Sequence, residues 1–102
     1  MVRNIRTTHQ QQLRDMAVAT AYLNEALDDG DTRVILMALR NIVEAQEDGI
    51  AGLAVRTSLG RESLYKMLSA TGNPKLSSFL KLVQGLGLSL KTENKKSIDR
   101  VA

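Results

Sequence analysis

Apolar residues recur every three or four positions through most of the chain, the spacing of one face of a helix. Met16, Ala19, Leu23 and Ala26 or Leu27 form a first stripe, which predicts a helix from about Leu13 to Leu27 with Tyr22 beside the stripe. Asp29-Gly30 stops it, because glycine readily takes the left-handed conformation that closes helices. Asp31 offers an N-cap to a second helix with a wide apolar arc: Val34, Ile35, Leu36, Ala38, Leu39, Ile42 and Val43. It runs to about Gln46, and Gly49 closes it. Glu47 and Asp48 stand at its C-terminal end and oppose the macrodipole, so a basic group is expected to meet that end.

Gly49 to Ser69 reads as two short helices around a tight corner. Ile50, Leu53 and Ala54 are the apolar positions of the first, Leu59 plugs the corner, and Leu64, Met67 and Leu68 belong to the second. Two helices that cross steeply need a small residue where they approach, which Ala54 supplies, and Ser58-Leu59-Gly60 suits a turn. The side chains left outside on the second helix are Arg61, Glu62, Ser63, Tyr65 and Lys66, all able to reach phosphates or base edges in a major groove. A pair of core helices with no such role would have the same apolar pattern.

Residues 70–74 form a loop ending in Asn73-Pro74. Ser77 or Ser78 is expected to cap a last helix with Leu76, Phe79, Leu80, Val83 and Leu86 inward and Gly87 at its close. Gly85 inside that helix costs about 1 kcal/mol relative to alanine. Leu88 to Glu93 then alternates apolar and polar, a short strand or extended segment that pairs with another chain or folds back as coil. The pattern therefore predicts an all-α class: five helices over residues 13–93, a short extended C-terminal segment, and polar tails at 1–12 and 94–102. Its expected core includes Ala54, Leu59, Leu64, Met67 and Leu82 or Val83.

Length and composition change this picture little: 102 residues suffice for one modest core, and with 3% aromatics that core is aliphatic. Charge changes it more. The first fourteen residues carry three arginines and no acid, and Asp15 to Asp48 holds eight acids against Arg33 and Arg40. From Gly49 onward nine basic residues face three acids, although the net charge is only +3. The basic half is the half with the helix pair, which suggests two partners of opposite charge, one of them a polyanion.

Several classes of chemistry find no support. With no cysteine there is neither a disulfide framework nor a thiolate metal site, and His9, the one histidine, has no neighbours at ligand spacing. No base lies near Ser63, and Gly85-Leu86-Gly87 lacks the strand and helix of a phosphate-binding loop. Neither an enzyme nor a cofactor is expected. No apolar run is long enough for a membrane span or signal peptide, so a cytoplasmic location is expected.

Residues 22–27 (Tyr-Leu-Asn-Glu-Ala-Leu), Ala38-Leu39-Arg40, Leu53-Ala54, residues 61–66 (Arg-Glu-Ser-Leu-Tyr-Lys), Gly72-Asn73-Pro74 and Leu86-Gly87-Leu88 resemble the addiction-module antidote proteins. These are small HigA-like antitoxins with a lambda-repressor-like (Xre-type) helix-turn-helix. The resemblance covers roughly Asp15 to Glu93. It implies an antitoxin of a type II toxin–antitoxin module that binds double-stranded operator DNA as a homodimer, represses its own operon and neutralises a RelE-like toxin. Carried onto this chain, Arg61, Glu62 and Tyr65 would read bases, while Arg56, Gly60, Ser63, Lys66 and Lys75 would contact the DNA backbone. A basic, RNA-holding toxin would meet the acidic half, through Glu25, Asp28, Asp29, Glu44, Glu47 and Asp48. Two departures stand at the corner: Ser58 where the family usually has glycine, and Gly60 where it usually has a serine or threonine cap. Gly85 stands where alanine is common. A stand-alone Xre-type regulator of a mobile element, or an adaptor that no longer binds DNA, would share these residues.

Overall fold

The computed structural model of the protein describes residues 10–95. The expected tails over residues 1–9 and 96–102, with Arg3, Arg6 and His9, lie outside them. Six helices make up the described residues, with no strand among them. Residues 10–13 belong to α1; α2 is Met16–Asp29, α3 Thr32–Ala45, α4 Gly49–Thr57, α5 Arg61–Met67 and α6 Leu76–Gly85.

The start of the chain differs from expectation. Residues 10–12, read as the end of a tail, are helical, and Leu13 is fully buried. The expected helix from Leu13 is broken at Arg14–Asp15, because the Asp15 carboxylate accepts from the Ala17 N–H (2.9 Å) and makes Asp15 the N-cap of α2. Such a cap contributes about 1 kcal/mol.

From there α2 buries Ala19, Leu23 and Ala26 at helical spacing and closes at Gly30, φ 81°, whose N–H bonds the Ala26 carbonyl. Asp31 then caps α3 through the Arg33 N–H (2.9 Å), as its sequence position predicts. A two-residue link makes α2 and α3 an antiparallel hairpin. The Asn41 amide donates to the Tyr22 hydroxyl (2.9 Å) along its length, and Gln46 Nε2 donates to the Leu13 carbonyl (3.4 Å) at its far end. With Leu36, Ala38, Leu39, Ile42, Val43 and Ala45 buried, α3 is the helix around which the rest packs. It ends at Ala45 with Gln46 as its C-cap, close to the expected end, but Gly49 opens α4 instead of closing α3.

The basic group expected at the end of α3 comes from the chain itself. Arg14 Nε donates to the Ala45 carbonyl (2.9 Å), a terminal acceptor with no partner within the helix, and Arg56 pairs with Asp48. Residues 48, 52 and 56 lie one above another along α4, and the ion pair passes over Gly52. A Cβ there would overlap the Asp48 carboxylate.

The last helix corrects two more expectations. Its N-cap is Lys75, with no side-chain hydrogen bond, so Ser77 and Ser78 sit inside α6 instead of capping it. Leu76 is 70% exposed, since at the first position of α6 it precedes the face that Phe79, Leu82, Val83 and Leu86 turn inward. The other end closes as expected: Gly87 (φ 81°) donates to the Gln84 carbonyl and Leu88 to the Val83 carbonyl, with the Leu88 side chain against the core. Beyond Leu88 the chain to residue 95 forms no strand and runs as coil.

Candidate nucleic-acid interface

The helix pair expected at Gly49–Ser69 is present as α4, a corner at Ser58-Leu59-Gly60, and α5. Leu53 and Leu64 are fully buried, while Ala54, Leu59 and Met67 are half-buried against the same core. One hydroxyl organises the corner. Thr57 Oγ1 donates to the Leu53 carbonyl (2.7 Å) and accepts from the Leu59 N–H (3.2 Å), so a single side chain satisfies both sides of the turn. Ser58 follows in the left-handed region at φ 61°, ψ 16°, the one non-glycine residue with positive φ among the described residues. That conformation strains an L-residue by roughly 1–2 kcal/mol. Gly60 is extended (φ −68°, ψ 154°) and precedes α5 with no side-chain cap.

Leu64 holds α5 down, and Arg40 fixes its far end by donating from Nη1 to the Leu68 carbonyl (2.6 Å), the C-cap position of α5. The helix is thereby tied to α3 through both packing and a charge-assisted hydrogen bond. Turned outward from this anchored helix are Arg61, Glu62, Ser63, Tyr65 and Lys66, every one exposed. Tyr65 is 62% exposed and stands at the rim of a notch of about 100 Å³ shared with Arg40, Val43, Ile50 and Leu68. Lys75, also exposed, begins α6.

Arg56 is placed differently from the other DNA candidates. Its Nε donates to the Gly85 carbonyl (2.8 Å) and its Nη1 to Asp48, so its guanidinium joins the end of α6 to the N-cap of α4. It holds the fold here, and a phosphate would have to compete with two existing partners.

The acidic residues do not form one patch. The antiparallel hairpin sets Glu25, Asp28 and Asp29 at one end and Glu44, Glu47 and Asp48 at the other, separated along the axis by roughly 20 Å, the length of a fourteen-residue helix. Asp48 is paired with Arg56, Asp29 accepts from the Asp31 N–H (3.3 Å), and Asp28 shares an open groove with Lys91 and Lys95. Glu25, Glu44 and Glu47 are exposed.

Thr57 and Arg40 are the residues that sequence reasoning missed. A threonine four residues after a buried leucine at a helix end is a signal for a hydroxyl bonding back to the i−4 carbonyl. Arg40 gives none, because the carbonyl it finds is 28 residues away.

Among the described residues the chain is all-helical, and its fifth helix, anchored from beneath, presents a charged face. Residues 5–94 match the family of probable addiction module antidote proteins, and the chain belongs to that family. A Haemophilus influenzae protein carried under the name "uncharacterized protein" is 33% identical over 95 residues, which span 84% of this chain and 96% of that relative. No solved structure matches this chain. Among the described residues no helix is long and apolar enough to cross a membrane.

Proposed function

We propose that the protein is the antitoxin of a type II toxin–antitoxin module, which binds operator DNA through α5 as a homodimeric autorepressor and neutralises a RelE-like toxin. The observation that carries the DNA reading is the exposed row Arg61, Glu62, Ser63, Tyr65 and Lys66 on a helix whose buried side and C-terminus are both fixed. A recognition element has to be rigid before it meets DNA, or ordering it would offset the contacts it makes. In this reading Arg61, Glu62 and Tyr65 meet base edges, and Ser63, Lys66, Lys75 and the Gly60 backbone meet phosphates. Arg56 steadies the corner from behind. One short helix reads few base pairs, so selectivity calls for two copies on an inverted repeat. The acids at the Glu25–Asp29 end of the hairpin are the proposed toxin-facing group, since a toxin that holds RNA is basic and the attraction would speed its capture.

The test is a mobility-shift titration on the DNA immediately upstream of the gene, together with co-expression of any small basic protein encoded beside it. The wild type is expected to shift that DNA and to restore growth, and Arg61→Ala to weaken the shift by about 1–3 kcal/mol if the arginine grips a guanine. Binding without growth rescue would mark a stand-alone regulator. Rescue without binding would mark an antitoxin that does not repress.

A further inference from the structure

Residues 89–95 leave the domain at a fixed point, because Leu88 is pinned by its N–H to the Val83 carbonyl and by its side chain in the core. Beyond it every residue through 95 is exposed and outside helix or turn, and none joins a backbone–backbone hydrogen bond among the described residues. An open groove of about 920 Å³ lies between this segment and α2, lined on the helix side by Thr20, Asn24 and Leu27. The segment contains no proline. A row of unpaired amides and carbonyls with alternating side chains is what an edge strand offers to another strand. No strand exists among the described residues to accept it.

The charge pattern selects the partner strand. We propose that two copies of the chain pair through residues 89–95 as antiparallel strands centred on Thr92. In that register Lys91 of each copy faces Glu93 of the other, twice by symmetry, and the two Thr92 side chains meet on the axis. Moving the centre by one residue sets Lys91 against Lys91, or Glu93 against Glu93. A slip of half that amount sets Leu90 opposite Glu93 or Lys95 and turns its apolar side chain toward a charge. The segment is thus self-complementary in one register and opposed in its neighbours. This interface rests on the homodimeric reading and gives it a surface: a dimer indifferent to changes in residues 89–95 would overturn the interface and leave that reading standing.

The test is sedimentation of the full chain with charge reversals. Lys91→Glu and Glu93→Lys each place like charges opposite one another twice, and each is expected to weaken self-association roughly tenfold or more. An equal mixture of the two variants restores both attractions and is expected to form a heterodimer tighter than either parent. Because the chain has no cysteine, crosslinking tests the register directly. Thr92→Cys puts two thiols opposite one another within disulfide reach and is expected to link copies on mild oxidation. Lys91→Cys leaves its two copies roughly 8 Å apart, beyond that reach, and is expected to link far more slowly. A wild type that stays monomeric at 100 µM would overturn the proposal, as would a dimer indifferent to both reversals or equal crosslinking at 91 and 92.

Discussion

Gly85 stands inside α6, where helix propensity alone favours alanine by up to about 1 kcal/mol, so Gly85→Ala would stabilise the protein if nothing else opposed it. The structure supplies the opposition. A Cβ at Gly85 would lie 2.5 Å from Thr57 Cγ2 and 2.9 Å from Leu53 Cδ1, both far inside van der Waals contact. The leucine terminus can pivot, but Thr57 cannot turn its methyl away without losing the bonds of its hydroxyl to the Leu53 carbonyl and the Leu59 N–H. Overpacking of this kind costs roughly 1–3 kcal/mol. Set against the propensity gain, the net is a destabilisation of about 1 kcal/mol, or a Tm lower by roughly 4–8 °C in a domain of this size. Urea and thermal denaturation would measure it, and the informative comparison is with Thr57→Ser, which removes Cγ2 and keeps the hydroxyl. In that background Gly85→Ala is expected to be neutral or favourable, a coupling on the order of 1 kcal/mol. If Gly85→Ala raised Tm by itself, or acted equally in both backgrounds, the close approach of α4 and α6 would not be what keeps glycine at this position.

Ser58→Gly relieves the left-handed strain but frees the unfolded chain, and is expected to stabilise the protein by about 0.5–1 kcal/mol; a Tm that falls would show that the serine makes a contact worth more than its strain. Lys66→Ala is expected to weaken binding to all DNA sequences alike and to reduce the slope of log K against log salt by about 1, whereas Arg61→Ala relaxes sequence preference; identical salt slopes for wild type and Lys66→Ala would remove Lys66 from the phosphate contacts. Reversing Glu25, Asp28 and Asp29 to lysine is expected to slow toxin association at low salt while operator binding is kept. Unchanged stopped-flow rates would move the toxin to another surface.

What the chain's pattern revealed in advance was local. Gly30, Asp31 and Gly87 act on partners within a few residues, and each does what its position predicted. The buried leucines of the helix pair were legible because Leu53 and Leu64 follow helical spacing on either side of a corner. Leu76 was misread for the same reason: periodicity places it on the apolar face of α6 but does not say that the helix projects past its neighbours there. The serines at 77 and 78 fit a cap in type, yet the N-cap falls earlier, at Lys75, just after Asn73-Pro74. The tie-up of Arg56 and the separation of the acids had no local signal. The first depends on a carbonyl 29 residues away, and the second on the direction in which a hairpin folds.

The polar bonds around the end of α3 join residues that are 29, 31 and 33 positions apart, through Arg56 to Gly85, Arg14 to Ala45 and Gln46 to Leu13. Bonds of such separation need the helices between them to be docked, so they are expected to form late in folding. Interactions absent from the transition state slow escape from the native state and leave the speed of reaching it almost unchanged. Replacing Arg14 or Arg56 by alanine is therefore expected to steepen loss of the native state in chevron measurements while the refolding limb stays where it is; a slower refolding limb would place the cluster in the nucleus instead. The expected result would assign the lifetime of the folded molecule to the residues that gather at the end of α3, and leave the speed of reaching it to other contacts.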